Sequence, residues 1–321
     1  MRGPILLHFF VTYRCNAKCS FCDIWTKPGD DEDGGLLSLY HAKNIVTDAK
    51  RLGAKFVDLT GGEPLLYPNL VALLEHAKNM RLLTSVTTNC ILYPKYAKEL
   101  KGLVDFLHFS IDSDAPEEHD RIRGVKSFHR FEESLKVARE LGERPDLLFT
   151  VNGENTHALE GLARLAYRER LILIVNPEFS YFGNNGFKPA HLQYLREFGR
   201  RAFVYTNSGF LTLIRRGGNL PQKPRCRAMT STVAVSPQGE ILLPCYHHHV
   251  KKLKVNGDLY EAYHSEEARA FREKEGSFPF CEGCTINCYF DPSFAYGFDR
   301  YFVQSLLSKA KYVFDKFIRP Y

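Results

Sequence analysis

Six times between residues 5 and 200, a short apolar segment rich in β-branched or aromatic residues precedes a longer segment with a helical apolar repeat. The strand candidates are 6–12, 55–60, 83–88, 106–111, 147–152 and 171–175, and helix candidates lie near 39–52, 69–79, 94–101, 129–142, 156–168 and 189–200. Repeated strand-then-helix units leave few folds open, because parallel strands must be joined by right-handed crossovers. Six units are too few for a closed eight-stranded barrel. The expected fold class is therefore α/β, a partial (β/α)6 TIM-like barrel. Ligands of such sheets sit at the carboxyl ends of the strands, so the residues that follow each strand are the first candidates for chemistry. Ser38 is placed to cap the first helix, and Phe131, Leu135, Val137, Ala138 and Leu141 give the fourth an apolar face.

After about residue 205 the pattern changes. Segments 233–236 and 240–243 flank Pro237-Gln238-Gly239 and read as a β-hairpin. A cysteine-rich loop at 281–288 follows, then a helical segment over 301–318. Two domains are expected: 1–205, the barrel, and 206–321, a small extension of hairpin, cysteine-rich loop and terminal helix. The polar stretch from Lys27 to Gly35 reads as a mobile loop.

Nine cysteines fall at 15, 19, 22, 90, 226, 245, 281, 284 and 288. The apolar run after Met1-Arg2-Gly3-Pro4 leads straight into cysteines without a small-residue cleavage site, so it reads as a strand and not as a secretory signal. No apolar run reaches the roughly 18 residues of a membrane span. A cytoplasmic location is expected, where clustered cysteines more often hold metal or iron–sulfur clusters than disulfides. Residues 201–321 carry 17 Lys/Arg against 11 Asp/Glu, whereas the first 200 are balanced at 26 each. That modest excess, with no dedicated RNA-binding motif, gives no expectation of a nucleic-acid partner.

Cys15, Cys19 and Cys22 are spaced C-x3-C-x2-C. Three thiolates can hold three irons of a four-iron cluster and leave the fourth iron open, as catalysis requires. Zinc with a fourth ligand from elsewhere satisfies the same spacing. The second strand runs into Gly61-Gly62-Glu63-Pro64, where glycines permit close backbone approach and Glu63 offers an acceptor for an ammonium group.

Together, these two motifs resemble the radical S-adenosylmethionine superfamily over roughly residues 5–200. The resemblance implies that Cys15, Cys19 and Cys22 hold a [4Fe-4S] cluster, that Gly61, Gly62, Glu63 and Pro64 bind the methionine amino group of S-adenosylmethionine, and that Phe21 lies near the adenine. It also implies reductive cleavage to a 5′-deoxyadenosyl radical that abstracts hydrogen from a substrate. Asn89 closes the third strand in Thr87-Thr88-Asn89, with Cys90 where the family often has glycine. Ser110 and Asp112 end the fourth strand and are candidates for the ribose or methionine region. Arg123, in a His119–Gly124 segment similar to one branch of the family, is a candidate partner for the methionine carboxylate. Asn152 and Asn176 end later strands and are candidates for the adenosyl group. Each of these polar residues equally suits a turn or cap.

Cys226, Cys245, Cys281, Cys284 and Cys288, with the hairpin between the first two, resemble the twitch and SPASM extensions of the same superfamily. Five cysteines imply one auxiliary [4Fe-4S] cluster, with Cys226, Cys245, Cys281 and Cys284 as the first choice of ligands and Cys288 as a fifth candidate. Structural zinc is the alternative. His247-His248-His249 read as a solvated turn or, alternatively, as groups that meet substrate or move protons. The implied reductant is a flavodoxin or ferredoxin. The implied reaction is oxidation, or C–C bond formation or rearrangement, on a small molecule or lipid. A ribosomal-peptide maturase is the alternative, and an iron–sulfur electron carrier or zinc-stabilised binding protein is the alternative of another class. No catalytic acid or base can be named.

Within 301–318, Val303, Leu306, Leu307, Ala310, Val313, Phe314 and Phe317 share one helical face opposite Gln304, Ser308, Lys309, Lys311, Lys316 and Arg319. Packing of the apolar face on the barrel is the first expectation. Peripheral contact with a membrane is the second.

Overall fold

The structure, a computed structural model, describes residues 3–27, 35–179 and 188–319. Most of the stretch read as a mobile loop, residues 28–34, lies outside the described residues. The barrel strands are β1 (Leu6–Thr12), β2 (Phe56–Gly61), β3 (Leu83–Thr88), β4 (Phe106–Ser110), β5 (Asp146–Val151), β6 (Leu173–Pro177) and a two-residue β7 (Val204–Tyr205). Helices α1 (Leu39–Leu52), α2 (Leu70–Asn79), α3 (Tyr93–Leu100), α4 (Pro116–Arg123), α5 (Phe128–Glu140), α6 (Leu159–Glu169) and α7 (Pro189–Phe198) run between them. Of these, α4 and β7 have no counterpart in the sequence reading. Neighbouring strands from β1 to β7 pair in parallel, and the sheet does not close on itself.

Strand burial alternates. One set of positions (Leu7, Phe9, Val57, Leu59, Val86, Phe109, Phe149, Val175) is fully buried against the helices. The intervening positions face the concave side and are only partly covered. Burial of one face against the helices fixes the register, because a one-residue slip would invert every strand.

The extension contains α8 (Ser208–Arg215), α9 (Ala228–Ser231), β8 (Thr232–Val235), β9 (Glu240–Leu243), β10 (Lys251–Lys254), α10 (Leu259–His264), α11 (Glu266–Glu273), α12 (Asn287–Ser293) and α13 (Arg300–Val313), which runs into a π-helical turn, Phe314–Ile318. The hairpin β8–β9 is joined to the barrel sheet: β8 pairs in parallel with β1, Leu7 opposite Val233, giving the order β10-β9-β8-β1-β2-β3-β4-β5-β6-β7. A second apolar core, built on Phe10, Tyr13, Ile24, Phe210, Tyr246, Tyr289 and Phe290, lies between barrel and extension and takes in Cys226 and Cys245.

The terminal helix packs the opposite way from the first expectation. Its polar side is inward: Ser305 meets Asn207, Ser308 meets Ser208, Lys311 donates to the carbonyls of Arg201 and Val204, and Lys316 and Tyr312 donate to Asp146. The cause is the open barrel edge, where β7 presents unpaired carbonyls and Asp146 is a fully buried carboxylate, and both need donors. The apolar stripe therefore faces outward, with Leu307 65% and Phe317 68% exposed. Among the described residues, no helix is long and apolar enough to cross a membrane.

Candidate active site

The loop after β1 carries Cys15, Cys19 and Cys22 and is clamped on two sides. On one side Gly62 N–H donates to Thr12 O at 2.9 Å and Glu63 N–H to Arg14 O at 2.9 Å. On the other, Lys18 N–H donates to Arg123 O and Ser20 N–H to Ile122 O, both at 2.9 Å. The glycines serve these contacts. Gly61 adopts φ +142°, and a Cβ on it would lie 2.0 Å from Thr12 O; one on Gly62 would lie 2.2 Å from Arg14 O. Gly124, at φ +64°, approaches Lys18 O in the same way, a requirement the sequence reading missed. Close approach is indeed why glycine stands at 61 and 62, but what approaches is the backbone of the cysteine loop.

Burial pushes the thiols of Cys15 and Cys22 up to about 11, and raises Cys19 as well, against the opposing pull of Arg123. Such thiols are poor thiolates alone and lose their protons when a metal centre binds them. Arg123 Nη1 lies 3.6 Å from Cys19 Sγ, its guanidinium carbon 5.6 Å from the Phe21 ring centroid, and its Nε 2.5 Å from Asp112 Oδ2. The buried ion pair leaves Asp112 Oδ1 without a hydrogen-bond partner, a polar atom ready for a ligand's donor. His119 holds the turn below it: its Nδ1 accepts from Asp112 N–H and its Nε2 meets Ser127 Oγ. Burial drives His119 down to about 4, so it stays neutral.

Glu63 is the best-determined group at the strand ends. Its carboxylate accepts from Leu65 N–H (3.1 Å), Thr88 Oγ1–H (2.9 Å) and Asn89 N–H (2.8 Å). Burial nonetheless raises it to about 7, with those hydrogen bonds and Arg123 pulling the other way. Below that pH it is neutral and loses its attraction for an ammonium group; above it the charge returns. Affinity for S-adenosylmethionine, measured by anaerobic calorimetry, is expected to fall as pH drops from about 8 to 6, and in Glu63→Gln to be weak and flat over that range.

The other candidates divide. Asn89 Nδ2 donates to Asn16 Oδ1 at 2.7 Å, tying the third strand to the cysteine loop. Cys90 is fully buried at φ +70°, so this turn keeps the conformation a glycine takes. Ser110 lies buried at the end of β4. Asn152 closes its own turn, its Oδ1 accepting from the N–H groups of Glu154 and Asn155, the local role expected of asparagine after a strand. Asn176 Oδ1 accepts from Asn287 Nδ2 at 2.9 Å and so joins the barrel to α12. Pro64 starts a short 3₁₀ turn over Pro64–Leu66.

In the extension, Cys226, Cys245, Cys281 and Cys284 rim one small closed cavity with Pro244, His248, Tyr289 and Phe290. Cys288 does not line it. This thiol sits in α12 within electrostatic reach of Cys245 and Cys284 and, more weakly, of Asp58 of the barrel. Among the described residues, no three Cys, His, Asp or Glu side chains converge on one metal-ion position. Asn219, which the sequence reading missed, holds the rim together. Fully buried, it accepts from Arg225 and Cys226 N–H, donates from Nδ2 to the carbonyls of Gly276 and Cys281, and bonds through its backbone to Cys284 and Gly283. His247 lies half-buried in a turn, its ring edge-on to Phe179, Tyr246 and Tyr289, and the loss of solvent around it pushes it down to about 3.

A parallel, unclosed barrel with three cysteines after its first strand and a buried glutamate after its second defines a class of iron–sulfur enzyme. Residues 9–166 match the model of the Radical SAM superfamily, and the chain belongs to that superfamily. Its members use a [4Fe-4S] cluster and S-adenosylmethionine. The chain is 33% identical over 138 residues to a probable GTP 3′,8-cyclase of Methanococcus maripaludis, covering 42% of this chain and 45% of that protein. It is 32% identical over 164 residues to the GTP 3′,8-cyclase of Desulforamulus reducens, covering 50% of each. The matched region thus spans about half the length of these curated relatives. Among solved structures, Streptococcus suis SuiB bound to S-adenosylmethionine superposes with a TM-score of 0.65 at 18% identity, covering 83% of this chain and 66% of SuiB. The enzyme anSMEcpe with bound AdoMet superposes with a TM-score of 0.64 at 17% identity, covering 96% of this chain and 98% of that one. These likenesses concern the fold.

Proposed function

We propose that this chain is a radical S-adenosylmethionine enzyme with one auxiliary cluster that abstracts hydrogen from a small-molecule substrate held on the concave face of its barrel. In this reading residues 1–205 form the catalytic barrel and 206–321 the auxiliary-cluster extension. Cys15, Cys19 and Cys22 hold the first cluster, Cys226, Cys245, Cys281 and Cys284 the second, and Glu63 takes the methionine ammonium. The unpartnered Oδ1 of Asp112 is placed for a ribose hydroxyl, and Arg123 braces both Asp112 and Cys19. When bound, the first cluster supplies the electron that splits the sulfonium and so frees an adenosyl radical. A flavodoxin or ferredoxin is the proposed electron source. The carrying observation is the double clamp that holds the three-cysteine loop against the Gly62–Glu63 segment, with Cys15 within electrostatic reach of Glu63. Oxidation is favoured over a redox-neutral rearrangement, because four cysteines on the second cavity would fill all four ligand positions of a cluster there and leave it an electron-carrying role. The test is label transfer: substrates deuterated at the reacting carbon give deuterium in 5′-deoxyadenosine, with one equivalent of oxidised product. Product of unchanged oxidation state contradicts the oxidative assignment.

The outward stripe on α13 supports a second contact. We propose that it rests on a lipid surface through its apolar stripe, since Leu306, Leu307 and Phe317 are each more than half exposed while Lys309, Lys311, Lys316 and Arg319 are engaged within the protein. Deleting the helix would strip Asp146 of its donors, so the clean variant is Leu306→Gln/Leu307→Gln/Phe317→Gln. Sedimentation with phosphatidylglycerol-rich vesicles is expected to fall several-fold in this variant. Equal sedimentation, or a concentration-dependent dimer in place of vesicle binding, contradicts the contact.

A further inference from the structure

The concave face of the barrel carries a polar belt that no cysteine or S-adenosylmethionine contact explains. Strand positions that alternate with the buried core bring His8, Asp58, Thr60, Ser85, Thr87 and His108 to one side, each only partly covered. Below the belt, Phe56 and Phe106 meet at 6.1 Å between ring centroids and close the floor. Above it lie the strand ends that lead to the cysteine loop, with Thr12 four residues, about 13 Å of strand, beyond His8. His8 Nδ1 lies 2.9 Å from Asp58 Oδ2. Burial of Asp58 is outweighed by hydrogen bonds from His8 and Ser85, which hold its carboxyl below the ordinary range, so it remains an anion that orients the ring. With Nδ1 turned to Asp58, Nε2 is the ring nitrogen left for a further partner. A second imidazole, His108, stands on β4, three strands away in the sheet, its Nδ1 3.2 Å from Thr87 Oγ1. Its Nε2 is 3.8 Å from Asp146, whose charge Lys316 already matches at 2.7 Å.

The charges on this face bear on the ligand. Among the described residues of β1 to β7, no strand position on the concave side is Lys or Arg. A polyphosphate against these strands would meet the Asp58 carboxylate and no strand-borne cation; Lys27, which lies over the Tyr246 ring at 5.3 Å, is carried by the loop after β1. Imidazoles, hydroxyls and a carboxylate in alternation suit instead a neutral molecule that carries several hydroxyl groups.

We propose that this belt is the substrate subsite and that it binds a neutral polyhydroxylated small molecule, of the sugar or cyclitol kind, through His8 Nε2 with Asp58 as the positioning residue. The inference rests on the proposed radical chemistry only for the purpose of the site; the binding stands or falls separately. Saturation-transfer NMR on the full anaerobic chain is the test, with D-glucose, D-ribose, myo-inositol and GTP as probes. At least one polyol is expected to saturate strongly and GTP weakly. The polyol signal should drop about tenfold in His8→Gln and partly in Asp58→Asn, while both variants keep wild-type cluster absorbance. A ring-nitrogen NMR spectrum should show His8 fixed as the Nδ1–H tautomer in wild type and mixed in Asp58→Asn, a change that loss of packing alone would not produce. No polyol signal, a GTP signal that dominates, or equal polyol signals in both variants overturns the inference. Polyol binding without any 5′-deoxyadenosine would leave this site standing and remove the radical reading instead.

Discussion

Gly62→Ala is expected to abolish the amino-terminal cluster while leaving the extension's cluster in place. The added Cβ would sit 2.2 Å from Arg14 O and 2.7 Å from Tyr13 O, inside contact distance of backbone that no rotamer change can move. Relief requires the 12–14 segment to shift, and that segment leads directly into Cys15. The two hydrogen bonds from Gly62 and Glu63 to Thr12 and Arg14 are the ones lost, roughly 1 kcal/mol each, with a larger penalty where the groups stay buried. The expected result is iron falling from roughly eight to four atoms per chain and no detectable 5′-deoxyadenosine, with the fold retained by circular dichroism. Full iron content in this variant would mean that the clamp does not set the loop.

Asn219→Ala is expected to do the reverse. One buried side chain makes four hydrogen bonds that join the segments of Cys226, Cys281 and Gly276, and its removal takes the side-chain partner from two N–H groups and two carbonyls, of which Cys281 O keeps its bond from Cys284 N–H. At about 1–3 kcal/mol for each buried group left unsatisfied, the rim loses several kcal/mol. Four irons should remain, bound at the first site. Cleavage of S-adenosylmethionine in the absence of substrate should persist, while substrate turnover is lost. Asn219→Asp keeps the acceptor half and should retain part of the second cluster. A variant with both clusters intact would show that the cysteines alone define the cavity.

The barrel was legible because parallel strands packed under helices must show short apolar runs of fixed spacing. Strands β1 to β6 begin and end within two residues of those expected, while β7 and β10 were not anticipated. The two cysteine groups were legible because ligands on one loop are close in sequence. What escaped has a common physical character. Asn219 acts on backbone groups 57 and 62 residues away, so nothing local marks it. His8 and Asp58 meet only through strand register. A usable signal was present in Asp58 with Thr60 and Ser85 with Thr87, where polar residues recur at every second position of otherwise apolar strands. The terminal helix was readable as amphipathic but not in its orientation, because the acceptors that draw its lysines inward, Val204 O and Asp146, lie 107 and 170 residues earlier in the chain. Arg123 shows the same limit: its segment pointed to a ligand contact, while the structure engages it with Asp112, Cys19 and Phe21.

The central claim is that the thiols of Cys15, Cys19 and Cys22 carry an iron cluster with one iron open to S-adenosylmethionine. Electron paramagnetic resonance of the anaerobically reconstituted, dithionite-reduced protein, before and after addition of S-adenosylmethionine, reads that iron directly. The account predicts a reduced-cluster signal that changes shape on addition and is absent from Cys19→Ala. A spectrum that S-adenosylmethionine leaves untouched, with zinc as the metal at these thiols, contradicts it.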